Sequence, residues 1–391
     1  MDRRPLSFSA EAVSTIPLSI YLHWPWCVRK CPYCDFNSHA APNSLSEETY
    51  VDCLIRDLSA WKGRTGERAV SSVFIGGGTP SLMSGKAIGR LLEEADRMFP
   101  FTPDCEITLE ANPGTADESR FRAFRSAGVN RLSIGVQSFM DEKLRRLGRI
   151  HTAKEARRAA LHAAEIFGRF NLDLMFALPG ETLDEAAREV EEAVATGASH
   201  LSFYQLTIEE GTAFAKRLPE GLPDDDLAAD MSDLIIASLE KAGFEHYEVS
   251  GYAKPGERCR HNLNYWTFGD YLAAGAGAHA KLTTDEGILR EMRIANPKRY
   301  QEAVAAEGNG VEERHWVDVE ALPFEFMLNA LRLTDGVPAS LFEERTGLPL
   351  SAVASKLEKL RKARFLASDS SLIRPTPLGC RFLSELQESF L

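Results

Sequence analysis

From about residue 18 to residue 206, short β-rich runs alternate with longer helical patterns, and this alternation restricts the chain to few folds. The expected strands are Ile20–His23, Val73–Ile75, Glu106–Leu109, Arg131–Val136, Leu172–Phe176 and Leu201–Gln205. Between them Ser46–Trp61, Gly85–Met98, Asp117–Ala127, Ala153–Phe167 and Leu183–Ala195 carry apolar residues at helical intervals. Elements in this order build an α/β fold, a parallel sheet joined by right-handed crossovers. Six such units form a partial (β/α)6 barrel or an open doubly wound sheet.

Unusual polar and glycine residues cluster just after the strand ends, where parallel α/β folds place their sites. Strand one runs into three cysteines, strand two into Gly76-Gly-Gly-Thr-Pro80, and strand three into Glu110-Ala-Asn-Pro113. Strand four leads to Gln137, and strand five carries Asp173 ahead of Leu178-Pro-Gly180. One active face is the economical reading.

The cysteines are Cys27, Cys31 and Cys34, spaced C-x3-C-x2-C. Three thiolates in one loop can hold three irons of a [4Fe–4S] cube and leave the fourth open to a small molecule. Tyr33 and Phe36 place aromatic rings beside the metal. A structural zinc site needs a fourth ligand, which His23 or His39 would have to supply, and no second C-x2-C pair exists. Cys31-Pro-Tyr-Cys34 also reads as a redox pair, but that leaves Cys27 unexplained. Seven cysteines in 391 residues are too sparse, and odd in number, for a disulfide framework.

The glycine triplet removes every Cβ from its loop, so that backbone N–H groups can approach a carboxylate or ammonium-bearing ligand. It is not a Walker loop, because no G-K-[ST] follows. Gly275-Ala-Gly-Ala-His-Ala280 has the letters of a dinucleotide fingerprint, but no β-run is expected before it.

The cysteine loop and glycine loop together resemble the radical S-adenosylmethionine (SAM) superfamily. The motifs are Tyr21-Leu-His-Trp-Pro-Trp-Cys27-x3-Cys31-Pro-Tyr-Cys34 and Gly76-Gly-Gly-Thr-Pro80. The likeness covers nearly the whole chain and is narrower still to the branch holding oxygen-independent coproporphyrinogen III oxidase and related heme chaperones. It implies a partial radical SAM barrel, in which SAM chelates the open iron and one electron from the reduced cluster cleaves it to a 5′-deoxyadenosyl radical. It further implies that Tyr21 packs against SAM and that Tyr33, Gly77, Gly78 and Thr79 lie at the SAM site. Glu110 then suits an ammonium or ribose hydroxyl, Gln137 and Asp173 the ribose, and Arg149 a carboxylate.

Smaller signs separate members of the branch. Phe36 stands where the decarboxylating oxidase has a fourth cysteine, and only about 17 residues precede the first strand. Both disfavour coproporphyrinogen dehydrogenase activity, the oxidative decarboxylation of propionates to vinyl groups. His261-Asn-Leu-Asn-Tyr-Trp266 resembles the H-N-x-x-Y-W motif of the heme chaperones. That resemblance implies heme as cargo, with His261 or the nearby Cys259 as axial ligand and Tyr265 and Trp266 packed on the porphyrin. It also implies a low-potential electron donor and an acceptor hemoprotein, expected to be respiratory. The Gly275 segment resembles the family's G-A-H-S stretch, with Ala280 in place of serine.

Three regions are expected: a short arm over 1–17, the barrel over 18–255, and a C-terminal region over 256–391. The last ends in helices at Pro323–Leu333, Leu341–Thr346 and Leu350–Ala363 and a possible hairpin, a winged-helix-like arrangement. Its basic stretch Lys356–Lys362 invites comparison with nucleic-acid binders. From 321 to 391, however, nine Lys/Arg face eight Asp/Glu, and the whole chain carries −12. No nucleic-acid partner is expected, and radical SAM modification of RNA is the more distant alternative. No apolar run approaches the 18 or more residues of a membrane span. The start lacks a secretory core, and Asp2 and Glu11 argue against a transit peptide, so a cytoplasmic protein is expected.

Overall fold

The computed structural model describes residues 8–115 and 117–391. Residues 1–7, on which the reading of a leader segment largely rests, lie outside the described residues. Twelve strands form one sheet. In chain order they are β1 (Leu18–Trp24), β2 (Val70–Gly77), β3 (Phe101–Ala111), β4 (Arg131–Gln137), β5 (Phe170–Phe176), β6 (His200–Gln205), β7 (Glu245–His246), β8 (Gly251–Ala253), β9 (Asp270–Ala274), β10 (His279–Thr284), β11 (Gly287–Arg293) and β12 (Val311–Trp316). Helices of seven residues or more are α1 (Glu47–Ser59), α2 (Gly85–Met98), α3 (Glu118–Ser126), α4 (Ala153–Ile166), α5 (Leu183–Ala195), α6 (Asp225–Lys241), α7 (Arg260–Trp266), α8 (Pro297–Glu307), α9 (Leu322–Ala330), α10 (Ser340–Thr346) and α11 (Ala354–Lys362).

The spatial order is β12-β11-β10-β9-β1-β2-β3-β4-β5-β6-β8-β7. β1 to β6 lie side by side in chain order and are all parallel. This is the six-unit α/β core, a partial barrel in that β1 and β6 do not pair with each other. β9 adds a seventh parallel strand against β1, from Leu18↔Asp270 to Leu22↔Ala274. The remaining strands extend both ends antiparallel.

β9 corrects one expectation, because a strand does lead into Gly275–Ala280. Asp270-Tyr-Leu-Ala-Ala274 is short and alanine-rich, and its strand character comes from pairing with β1 rather than from local propensity. The segment still lacks the dinucleotide context: antiparallel β10 follows it, where that fingerprint requires a helix. Gly275 turns the chain at φ 112°, and a Cβ there would meet the His23 carbonyl oxygen at 2.4 Å.

The crossover helices begin where side chains satisfy their first N–H groups. Ser46 caps α1 and Ser84 caps α2, while Thr152 with Glu155 and Thr182 with Glu185 form capping boxes on α4 and α5. Strand alternation then sorts the residues. On β1, Leu18, Ile20 and Leu22 join the main apolar core with Leu54 and Leu58 of α1. The opposite face puts Ser19, Ser72, Thr108, Ser133, Asn171 and Ser202, all buried, into the lumen. Ser19, Ser72, Ser133, Asn171 and Ser202 are hydrogen-bonded there, as buried polar groups should be, while the Thr108 hydroxyl has no partner.

At the C-terminal end, α9, α10 and α11 accompany a two-stranded pair, Val337–Pro338 with Leu372–Ile373. An antiparallel bridge joins Leu366 to Pro375, supplying the expected hairpin. Leu322, Phe326, Phe342 and Leu357 form a second core shared with Tyr247 and Phe268. The basic stretch of α11 is a solvated face, with Lys362 pairing to Glu358. Among the described residues no helix is long and apolar enough to cross a membrane.

Candidate functional site

The C-terminal ends of β1 to β6 open on one cavity of about 370 Å³. The cysteine loop forms one wall. It is tied down by a short parallel pairing of Trp26–Cys27 with His39–Ala40. Cys27 is buried, and Cys31 and Cys34 are half-buried. Cys27 Sγ lies 3.5 Å from the His39 carbonyl oxygen, Cys34 Sγ 3.5 Å from Ser38 Oγ, and Arg149 Nη1 3.5 Å from Cys31 Sγ. Burial, then the neighbouring Cys31 and Cys34, push the Cys27 thiol up.

Among the described residues no group of three or more His, Cys, Asp or Glu side chains is arranged to hold a single metal ion. A four-iron cube takes one thiolate per iron, so its ligands stand apart, and three thiols around an open cavity suit it. The two histidines weighed as zinc ligands have other partners. His23 Nδ1 is 2.9 Å from the Tyr21 hydroxyl and Nε2 2.9 Å from the Asn37 carbonyl oxygen; His39 Nε2 is 3.1 Å from Asn37 Oδ1.

Gly77, Gly78 and Thr79 line the cavity, but not as a cradle of free donors. The Gly77 N–H goes to Glu110 Oε2 at 2.9 Å, the Gly78 N–H to Trp24 O at 2.7 Å, and the Thr79 N–H to Trp26 O at 2.8 Å. This corrects the expectation that these N–H groups wait for a ligand. Glycine is required because the loop presses on the cysteine strand: a Cβ on Gly78 would meet Trp26 O at 2.6 Å.

Glu110, Gln137, Arg149, Asp173 and Tyr33 also line the cavity. Burial, reinforced by Asp173, pushes the Glu110 carboxyl up to about 8, against the pull of the Gly77 N–H. Gln137 sits at φ 66°, a left-handed backbone unusual for a non-glycine residue and typical of functional loops. Arg149 donates to the Gly135 carbonyl oxygen at 2.9 Å, while its buried Nε has no hydrogen-bond partner. A guanidinium with an orphaned donor and the Glu110 and Asp173 carboxyls line the same cavity, and that mixed charge fits a zwitterionic ligand carrying both a carboxylate and an ammonium. Tyr21 is elsewhere, below the cavity wall, with its ring stacked on Phe74 at 6.3 Å.

Sequence reasoning missed Ser133, Met175 and Tyr204, which also line the cavity. Ser133 Oγ donates to Asp173 Oδ2 at 2.9 Å, and Asn171 donates to Oδ1 at 2.8 Å. Period-two spacing was the available signal, since Ser133-x-Gly135-x-Gln137 and Asn171-x-Asp173-x-Met175 each mark one strand face.

The second motif lies at the opposite, closed end of the barrel. His261 and Cys259 are each 1% exposed and do not line the cavity. His261 Nδ1 is 3.0 Å from Ser72 Oγ, Nε2 is 2.8 Å from the Tyr265 hydroxyl, and the ring stacks on Phe74 at 5.0 Å. Burial and Arg131 lower the His261 pKa to about 3, so the imidazole is neutral. Cys259 Sγ points at Glu106 Oε1, 3.5 Å away, and burial pushes its thiol up to about 12. The Arg332 guanidinium lies over the Trp266 ring at 4.2 Å.

Comparison with known proteins identifies the family. The model of the radical SAM superfamily matches residues 21–193, and that of the HemN C-terminal domain matches residues 317–382. The heme chaperone HemW of Haemophilus influenzae is 46% identical, covering 96% of this chain and 98% of its own. That of Escherichia coli K12 is 45% identical with the same coverage. Among solved structures, coproporphyrinogen III oxidase (HemN) from Escherichia coli superposes at TM-score 0.81 with 23% identity, covering 97% of this chain and 92% of that one. The near-full-length identity with the curated relatives decides the matter: this chain belongs to the radical SAM superfamily and, within it, to the heme chaperone HemW family.

Proposed function

We propose that this protein is a radical SAM heme chaperone, which binds heme as cargo and hands it to an acceptor hemoprotein of respiratory type. The observation that carries the reading is the 46% identity over 96% of the chain with a heme chaperone. In it, Cys27, Cys31 and Cys34 hold a [4Fe–4S] cluster, and SAM occupies the cavity beside them. When bound, these groups supply one-electron reductive chemistry drawn from a low-potential donor. Arg149 offers its unpartnered Nε to the SAM carboxylate, and Glu110 accepts from the ammonium. Asp173, braced by Ser133 and Asn171, accepts from the ribose with Gln137 beside it, and Tyr33 closes the wall next to Arg149. Tyr21 supports the site from below, through His23.

His261 is the proposed axial ligand of heme iron, with Tyr265 and Trp266 against the porphyrin. Its Nε2 must then exchange the Tyr265 hydroxyl for iron, so heme uptake requires α7 to leave its seat. Cys259 has its thiol against a carboxylate and is the weaker candidate. We place the protein in the cytoplasm, whose reducing conditions suit free thiols.

The test is anaerobic cluster reconstitution followed by heme titration of wild type and His261→Ala, read by the Soret band, then transfer to an apo-hemoprotein. Saturable binding weakened by the substitution and productive transfer are expected. Wild type that binds no heme, or protoporphyrinogen formed from coproporphyrinogen III, overturns the reading.

A further inference from the structure

Between the cavity and α7 the lumen holds a hydrogen-bonded chain. Asp173 Oδ1 accepts the Asn171 amide at 2.8 Å, and Asn171 Oδ1 lies 2.7 Å from His200 Nδ1. His200 Nε2 is 2.8 Å from the Tyr247 hydroxyl, which takes the Cys259 backbone N–H at 3.4 Å. Cys259 is the residue from which α7 starts. An amide oxygen only accepts, so His200 Nδ1 carries the hydrogen and Nε2 receives the Tyr247 proton. Each link thus has one donor and one acceptor.

Asn171, His200, Tyr247 and Cys259 are all buried. Asn171 has second partners, its amide donating to Ser133 Oγ at 2.8 Å and its oxygen accepting from Ser202 Oγ at 3.0 Å, and these set how far it can turn. At His200 and Tyr247 water cannot replace a broken link, and a lost bond leaves an unsatisfied group. α7 has further contacts at this end, among them Arg260 Nη1 to Asp104 Oδ2 at 2.6 Å and His261 Nδ1 to Ser72 Oγ at 3.0 Å. Glu106 Oε1 accepts the Arg260 N–H at 2.9 Å and the His261 N–H at 3.3 Å. From outside, the C-terminal core covers the helix, with Leu263 and Trp266 packed against it.

We propose that Asn171, His200 and Tyr247 are positioning residues that couple occupancy of Asp173 to the seating of α7, and so to the availability of His261. This rests on the reading that Asp173 receives the SAM hydroxyls and His261 the heme iron. Ligand hydroxyls compete with the Asn171 amide for Oδ1. As that amide shifts, His200 loses its acceptor, Tyr247 its orientation, and the first turn of α7 its anchor. SAM therefore tightens heme binding, and heme tightens SAM binding by the same factor.

The experiment uses the cluster-loaded full chain, as wild type and Tyr247→Phe. It reads amide hydrogen exchange over residues 259–266 and heme affinity from the Soret band, each with and without SAM. In wild type SAM should speed exchange in α7 and tighten heme by roughly fivefold or more. In Tyr247→Phe exchange should be fast without SAM, and SAM should leave heme affinity unchanged. If Tyr247→Phe fails to fold, His200→Leu breaks the same chain one link earlier and carries the same expectation. Unchanged α7 exchange on adding SAM to wild type, or a full SAM effect in the variant, overturns the coupling. Absence of heme binding rejects the heme reading alone, because SAM-dependent exchange at α7 still decides the coupling.

Discussion

Glu110 Oε2 accepts the Gly77 N–H at 2.9 Å, which makes the loop after β2 and the carboxyl at the end of β3 one unit. The bond favours the ionised carboxylate, yet burial and Asp173 prevail and raise the pKa to about 8.

A pH dependence follows. The folded pKa lies above the unfolded one, so the contribution of Glu110 to stability is complete below the unfolded value and is lost as pH rises through about 8. Glu110→Gln cannot ionise. Relative to wild type it should gain about 1–2 kcal/mol between about pH 6 and about pH 9, discounted because the carboxyl faces the open cavity. Urea denaturation at both pH values measures this, and an equal difference at the two refutes it.

Asp270 is fully buried between two cations, with Arg68 Nη1 at 2.6 Å and Lys281 Nζ at 2.8 Å. Asp270→Asn strands both charges without a counter-ion, so we expect a loss of roughly 3–5 kcal/mol in denaturant unfolding. A loss below about 1 kcal/mol would mean that the pair is dispensable.

Gly77 has φ 119°, and a Cβ there would meet Trp24 O at 2.7 Å. Gly77→Ala should cost roughly 2 kcal/mol or more, through backbone strain and contact together. Gly63, at φ 77° with nothing within 4 Å, separates the two effects. Gly63→Ala should cost only about 1 kcal/mol, and equal losses would remove the close-contact argument.

Serine at Cys27, Cys31 or Cys34 should lower iron incorporation by roughly tenfold or more. The circular dichroism of the fold should hold, because Cys31 and Cys34 are only half-buried, Cys27 sits in a two-residue strand outside the main sheet, and serine differs from cysteine by one atom. Iron and sulfide analysis after reconstitution is the readout; wild-type iron content in Cys31→Ser would show that this thiol is not a ligand.

The parallel core was legible because its apolar faces are periodic. Every expected strand from Ile20 to Gln205 lies within an observed one, although Val73–Ile75 lengthens to Val70–Gly77 and Glu106–Leu109 to Phe101–Ala111. The missed ends hold Ser71, Ser72 and the Gly76-Gly77 pair on one strand and the unpaired stretch 102–105 on the other, where no apolar alternation marks a strand. β9 to β12 were not legible. Glycine and alanine dominate residues 272–280, and their strand character is supplied by pairing with β1 and with each other.

Residue type and spacing along the chain determined the β/α order, the cysteine loop and which side chains end each strand, because these follow from local periodicity and donor chemistry. The tertiary structure decided what those residues face. It turned the Gly77, Gly78 and Thr79 N–H groups inward to protein partners, left the Arg149 Nε unpaired in a cavity that two carboxyls also line, and seated His261 at the closed end of the barrel. Hydrogen-bond partners and burial are set by strands far apart in sequence, and a lumen built from six of them has no signature in any single one.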